Sequence, residues 1–328
     1  MQSEAGRKGI AAGAILALSL ACPGIATAAD TPYFMITTDR IAVVTNSSAK
    51  RCSRVAFQFI RFESVFRYLA GWDSDIELRP LKVFLLADKD AKQVFLTEDD
   101  RNREKTTDMF IYSKFLPGRE FNIAAMVDHD SYDDPMQSLF LTYAQSALAA
   151  GPTHQHPAWY LLGVSNLLNG LVIREDGSAI LNRNLPFAPD LADASGTHAK
   201  FDLPTLIATT RTIGLFSQSD WKEFILRARD WAEFGLLTKP ERRKQYRDLA
   251  ELMRQGTPAD EAVTQAFGMP LAQLTEEYQT NKWRLGVQFR IPPPATPMVV
   301  PDATPLAAEE AKKQLQIVAD RVGEVSLR

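Results

Sequence analysis

The stretches SLFLTYAQSAL (Ser138–Leu148) and PAWYLLGVSN (Pro157–Asn166) decide how this chain is read. Both sit in helical patterns, over residues 136–150 and 157–169, and a short loop carrying His154 and His156 joins them. On the residues alone they are two apolar helices of an α+β domain. Downstream, helical patterns continue over 204–213, 219–236, 241–255, 258–267 and 270–284, so the second half of the chain is mostly helical. One interruption is the run Leu171–Leu181. There Asp176-Gly177 stands between two β-type stretches, which is a hairpin signal.

Upstream the character is different. Tyr33–Thr38 and Ile41–Thr45 are rich in β-branched and aromatic residues and fit a strand or hairpin. Val55, Phe59, Phe62, Phe66 and Leu69 then recur at helical spacing, which predicts an amphipathic helix from Ser47 to Tyr68 that ends near Gly71. Leu81–Ala87, Met109–Tyr112 and Phe121–Val127 are further strand candidates. The expected architecture is a β-rich half (33–134) packed on a helical half (135–284).

At the C-terminal end, Ile291-Pro292-Pro293-Pro294-Ala295-Thr296-Pro297, with Pro301 and Pro305 behind it, favours extended polyproline geometry. Residues 285–305 therefore read as a semi-rigid linker. Residues 306–328 read as a lone helix docked on the body or on a partner, with Leu306, Ala307, Leu315, Val318 and Val322 at helical spacing.

The N-terminus shows Arg7 and Lys8, an apolar run from Ile10 to Cys22, and the small-residue site Ala26-Thr27-Ala28. This order of zones predicts a secretory signal peptide over residues 1–28 and an exported, periplasmic or secreted protein. The apolar run is short of the roughly 20 residues that a membrane-spanning helix needs. A retained anchor and lipidation at Cys22 are the alternatives, the latter in a poor context with Pro23 directly following. Beyond the signal only Cys52 remains, so no intramolecular disulfide is expected and stability must come from the core. Loss of residues 1–28 takes Glu4, Arg7 and Lys8 from 40 acidic and 37 basic side chains and leaves a formal charge of −4. That balance points away from nucleic acid and from anionic membranes.

With the helical pair in place, a resemblance emerges. The two quoted segments resemble the metal-site helices of gluzincin-type zinc metallopeptidases, especially the bacterial peptidase-MA-like group. In that family the first helix carries H-E-x-x-H and the second a P-x-W-x-x-E-G-x-A pattern. Two His at i and i+4 hold zinc, the Glu between them polarises the bound water, and a Glu of the next helix is the third ligand. Laying the pattern on this sequence puts Leu141 at the first His, Thr142 at the catalytic Glu, Gln145 at the second His and Leu162 at the third ligand. Leucine offers no lone pair, threonine is no base near neutral pH, and an amide is a feeble zinc ligand. Phe140, Tyr143, Pro157, Trp159, Tyr160 and Gly163 match the parts that pack the helices together. The likeness extends in order and spacing over about residues 33–284. It implies a thermolysin-like α+β fold with the zinc site lost, and hence no metal, no cofactor and no catalytic residues at these positions.

Other residue sets were weighed against plainer readings. His154 and His156 could share a metal only if further ligands converged, and His129 and His198 are the chain's only other histidines. Asp128-His129-Asp130-Ser131-Tyr132-Asp133-Asp134 is dense enough in carboxylates for calcium, but it lacks an EF-hand's glycine and closing Glu, and acidic residues before a helix also cap it. Cys52 has Arg51 and Arg54 beside it, which would favour thiolate, but a nucleophile also needs a His base in contact, and a small core-facing or half-exposed Cys is the plainer reading. No nucleophile elbow, phosphate loop or dinucleotide fingerprint occurs. Paired carboxylates for glycoside chemistry stay open, because such partners are distant in sequence.

The leading expectation is an exported, non-catalytic zinc-peptidase-like module that binds a peptide or protein partner in the cell envelope. A hydrolase built on Cys52 or on the 128–134 carboxylates is one alternative. A structural envelope protein that engages a partner through its C-terminal helix is another.

Overall fold

The computed structural model describes residues 32–70, 78–95, 113–128, 135–149, 156–181, 200–211, 217–281 and 288–326. The expected signal peptide, the strand Met109–Tyr112, the acidic residues 129–134, and His129, His154 and His198 lie outside the described residues. The chain is a mixed α+β protein built on a six-stranded mixed sheet.

Its opening follows the residue pattern. Strands β1 (Tyr33–Thr37) and β2 (Ile41–Thr45) pair antiparallel. The 22-residue helix α1 (Ala49–Ala70) follows, with the Ser48 hydroxyl accepting from the Arg51 N–H at 3.1 Å as its N-cap. Strand β3 (Leu81–Ala87) then lies parallel to β2. Helix α2 (Asp88–Val94) and strand β4 (Ser113–Leu116) come next, and β5 (Asn122–Asp128) pairs parallel with β3 and antiparallel with β4.

Alternation along the central strands sorts their side chains to two faces. Leu81, Val83 and Leu85 of β3, with Ala124 and Met126 of β5, join one core together with the apolar stripe of α1. Phe84 and Leu86, with Ile123, Ala125 and Val127, join a second core on the opposite face. Because both faces are covered, these strands read as nearly continuous apolar runs.

The helical half is α3 (Pro135–Ala149), α4 (Ala158–Asn169), α5 (Leu203–Ala208), α6 (Gln218–Leu237), α7 (Pro240–Arg254), α8 (Ala259–Phe267) and α9 (Leu271–Asn281). Between α4 and α5, β6 (Leu171–Ile173) and β7 (Ala179–Leu181) form the expected hairpin. Gly177 has φ +78° at its turn, a conformation that suits glycine.

The C-terminal segment departs from the linker expectation. Strand β8 (Phe289–Ile291) pairs with β7, and β9 (Thr304–Leu306) pairs with β1, so the sheet order is β4-β5-β3-β2-β1-β9. The Pro-rich stretch between them is a strap fastened at both ends. Helix α10 (Ala308–Ser326) sends Leu315, Val318 and Val322 into the second core beside Ala91, Val94 and Phe95. Three-residue strands bearing proline give no strand signal in a sequence. Pro305 is tolerated in β9 because an edge strand need not donate along its whole length.

Candidate functional site

Helix α3 lies between the sheet and α4. Its inward face is aromatic: Phe140 stacks on Phe62 of α1 with ring centroids 4.3 Å apart and planes 2° apart, and Tyr143 meets Phe59 edge-on at 5.0 Å. The Tyr143 hydroxyl donates to the Arg79 carbonyl at 3.1 Å. Nearby, Arg40 Nε donates to both carboxylate oxygens of the buried Glu63 at 3.2 Å, and Arg67 lies 3.8 Å from the same carboxylate. Burial, then the Glu63 charge, pushes the Tyr143 phenol up. It therefore stays protonated and acts as a donor.

Opposite the aromatic face, Leu141, Thr142 and Gln145 are half-buried. The i, i+4 spacing puts Leu141 and Gln145 on one side of α3. The Thr142 hydroxyl donates to the Ser138 carbonyl at 2.9 Å and to the Leu139 carbonyl at 3.2 Å, so its proton is committed to its own helix. Leu162 is buried in the main core on α4, which packs directly on α3. Two leucines, a back-bonded threonine and an amide do not fit zinc. Among the described residues no group of three or more His, Cys, Asp or Glu could hold a metal ion.

The motif's remaining residues have packing duties. A Cβ added to Gly163 would sit 2.4 Å from the Ala228 carbonyl oxygen and 3.1 Å from Ala232 Cβ, so the bare backbone of α4 at Gly163 packs closely on the backbone of α6. One turn earlier, the fully buried Trp159 meets Trp231 of α6 at 6.5 Å and Tyr246 of α7 at 5.3 Å between ring centroids. Tyr160 and Tyr246 lie 5.4 Å apart.

Along the outer edge of the sheet, β4 approaches α3: the Ser113 and Ser138 hydroxyls are 2.9 Å apart, and Phe115 meets Tyr143 edge-on at 6.3 Å. Among the described residues no strand pairs with the outer side of β4. This outer strand runs beside the helix that carries Leu141, Thr142 and Gln145.

The other candidates are placed as follows. Cys52 is fully buried, with Sγ 3.5 Å from the Val43 carbonyl, and burial pushes its thiol up to about 11. The side chain turns into the core, as the plainer reading has it; the thiolate that Arg51 and Arg54 would favour is not supported, and Arg51 pairs with Asp128 at 3.0 Å. Asp128, the described member of the acidic run, also accepts from the Ser47 hydroxyl. Those bonds tie the end of β5 to the start of α1. His156 packs on Tyr160 at 4.9 Å, and burial, then the Arg254 charge, lowers it to about 4. A neutral, inward histidine is therefore part of the packing around α4.

Two polar devices escaped the sequence reading. Both Arg61 and Glu63 are buried on α1. Their signal was present as the charged residues within Phe59-Ile60-Arg61-Phe62-Glu63, an apolar run of a helix whose solvent face is elsewhere. Comparison with known protein families gave no matching family, and comparison with curated proteins gave no matching relative.

Proposed function

We propose that the chain is an exported, non-catalytic zinc-peptidase-like protein that binds extended peptide or protein segments in the cell envelope. The observation that carries this reading is the edge of β4 beside α3, unpaired among the described residues, where Leu141, Thr142 and Gln145 are half-buried and none is a suitable zinc ligand. An extended segment added to that edge satisfies its own backbone groups on β4 and lays alternate side chains on α3. With Thr142 back-bonded and no general base supplied by Leu141 or Gln145, such a segment is held and not cleaved. No helix among the described residues is long and apolar enough to cross a membrane.

The alternative of a Cys52 hydrolase has no support, because that thiol is protonated and enclosed. The alternative role for the C-terminal helix is weakened by its apolar stripe being used inside the fold.

Two measurements test the reading. Metal analysis of the purified protein is expected to find no stoichiometric zinc, and tightly bound zinc at one per chain overturns it. Reduced, carboxymethylated lactalbumin serves as an extended-chain probe in a pull-down. It is expected to be retained uncut by the native sequence and lost with Leu141→Asp, and cleavage of the probe or equal retention by the variant refutes the proposal.

A further inference from the structure

A second cleft, of about 500 Å3, lies on the other side of α1, between that helix and the β6–β7 hairpin. Its size is in the range of small-ligand and peptide-end sites. One wall is Arg54, Phe57 and Gln58, which share a face of α1 by their i, i+3, i+4 spacing. The other wall is the unbroken run 172–176. A cleft that met the hairpin by a sheet face would be lined by alternate residues. Val172 and Ile173 of this run belong to β6 and Arg174–Asp176 to its turn, where the Arg174 N–H donates to the Ser178 carbonyl and its carbonyl accepts from Gly177, so the cleft meets the end of β6 and the turn. In the three-stranded sheet β6-β7-β8, β6 is an outer strand, and among the described residues no strand pairs with its outward side.

The walls are fixed in place. Arg61 of α1 donates from Nε to the Gly177 carbonyl at 2.7 Å and from its terminal nitrogen to the Pro292 carbonyl at 2.5 Å. These bonds hold helix, hairpin turn and strap together. A Cβ at Gly177 would lie 3.7 Å from the Phe57 ring and 3.3 Å from Pro294, so the turn rests on both. The cleft is thus preformed, which limits the ordering cost of binding.

Its chemistry combines an apolar floor with cations. Val172 is 41% exposed and stands with Phe57 along the cleft. Arg54 and Arg174 are exposed, and after the hydrogen bonds from Ser178 the charge of Arg174 also helps to lower the Asp176 carboxyl. Of the two acidic lining residues, Asp176 spends Oδ1 on the Ser178 N–H at 2.8 Å within the turn, and Glu175 is exposed at the rim.

We infer that this cleft captures the C-terminal end of an extended peptide with an apolar last residue. The peptide backbone pairs with the free edge of β6, the last side chain rests on Phe57 and Val172, and the terminal carboxylate is held by Arg54 and Arg174. Backbone pairing plus capture of a terminal carboxylate is a known mode of peptide recognition, and two guanidinium groups supply charge-assisted hydrogen bonds to the carboxylate. This site is separate from the β4 edge and stands or falls independently of it.

The test is fluorescence anisotropy with the full chain and an N-terminally fluorescein-labelled hexapeptide ending in leucine, as the free acid and as the C-terminal amide. The acid is expected to bind at least tenfold more tightly than the amide. Arg54→Ala and Arg174→Ala are each expected to weaken the acid about tenfold with an unchanged circular-dichroism spectrum and melting midpoint. Leu141→Asp leaves this binding unchanged. Equal affinity for acid and amide, no binding at millimolar protein, or loss of binding through Leu141→Asp in place of the arginine variants overturns the inference. Octanoate that displaces the peptide at equal concentration overturns the backbone-pairing part and leaves a simple site for apolar anions.

Discussion

Replacing Gly163 by alanine tests whether the residues around Leu162 are there for packing. The added methyl would sit 2.4 Å from the Ala228 carbonyl oxygen, 3.0 Å from its carbonyl carbon and 3.1 Å from Ala232 Cβ. The first two are backbone atoms of α6, so no rotamer change relieves the contact, and the two helices must separate along a crossing filled by Trp159 and Trp231. Overpacking of this kind costs about 1–3 kcal/mol, with the upper end expected for contact with backbone. Against it stands the gain of about 1 kcal/mol that alanine brings over glycine inside a helix. The net expectation is a loss of about 2 kcal/mol, or roughly 0.7 M in urea midpoint for a slope near 3 kcal/mol/M. The matched control is Gly323→Ala in α10, where a Cβ meets nothing within 4 Å. That change is expected to gain up to about 1 kcal/mol. Urea unfolding followed by circular dichroism reads both. A midpoint for Gly163→Ala equal to or above the parent's would refute the close-crossing argument, and with it the view that this glycine is held by packing.

Three other outcomes follow from burial. His156 has its folded pKa lowered from 6.5 to about 4, so the neutral form is the one that fits, and stability is complete above pH 6.5 and is lost as pH falls toward 4. The loss is about 3 kcal/mol over the full titration, and His156→Gln should flatten the dependence of urea midpoint on pH between 7 and 4.5; an unchanged slope would show that the histidine is solvated. Cys52 has its folded pKa raised from 9.0 to about 11, so an unfolded chain ionises first and stability declines as pH rises from 9 toward 11. In the native state at pH 8 the thiol should resist a disulfide reagent such as dithionitrobenzoate and react at once in guanidinium, and rapid native labelling would contradict its burial. Removing residues 302–328 uncovers the sheet face carrying Phe84, Leu86, Ile123 and Val127 and deletes strand β9. The truncated chain is expected to aggregate or to bind anilinonaphthalenesulfonate strongly, whereas a soluble monomer with parent stability would show that α10 is dispensable.

The contrast between local and distant information runs through particular elements. Strand-type runs at β1 and β2, short continuous apolar runs at β3 and β5, and period-3.6 patterns at α1 and the helices from α3 to α9 suffice for these elements, because each signal is written in consecutive residues. The Asp176-Gly177 turn is equally local, since only residues that tolerate positive φ suit it. Strands β8 and β9 have no such signal: three residues each, one with a proline, they exist only because β7 and β1 offer them edges. The strap and α10 were legible as an extended segment and an apolar-striped helix, but what they touch was not.

At the candidate site the same division holds. The sequence by itself determined that Leu141, Thr142, Gln145 and Leu162 supply no metal ligand set, since that is a property of the side chains wherever they lie. It also determined that Leu141 and Gln145 share a helix face. Only the tertiary structure decided that the Cys52 thiol is buried and raised, that Arg51 answers to Asp128, that Gly163 is pressed on Ala228, and that β4 and β6 are the outer strands of their sheets among the described residues. Burial and ion pairing depend on residues far apart in the chain, and the free energy of a charge or a methyl group is set by those neighbours.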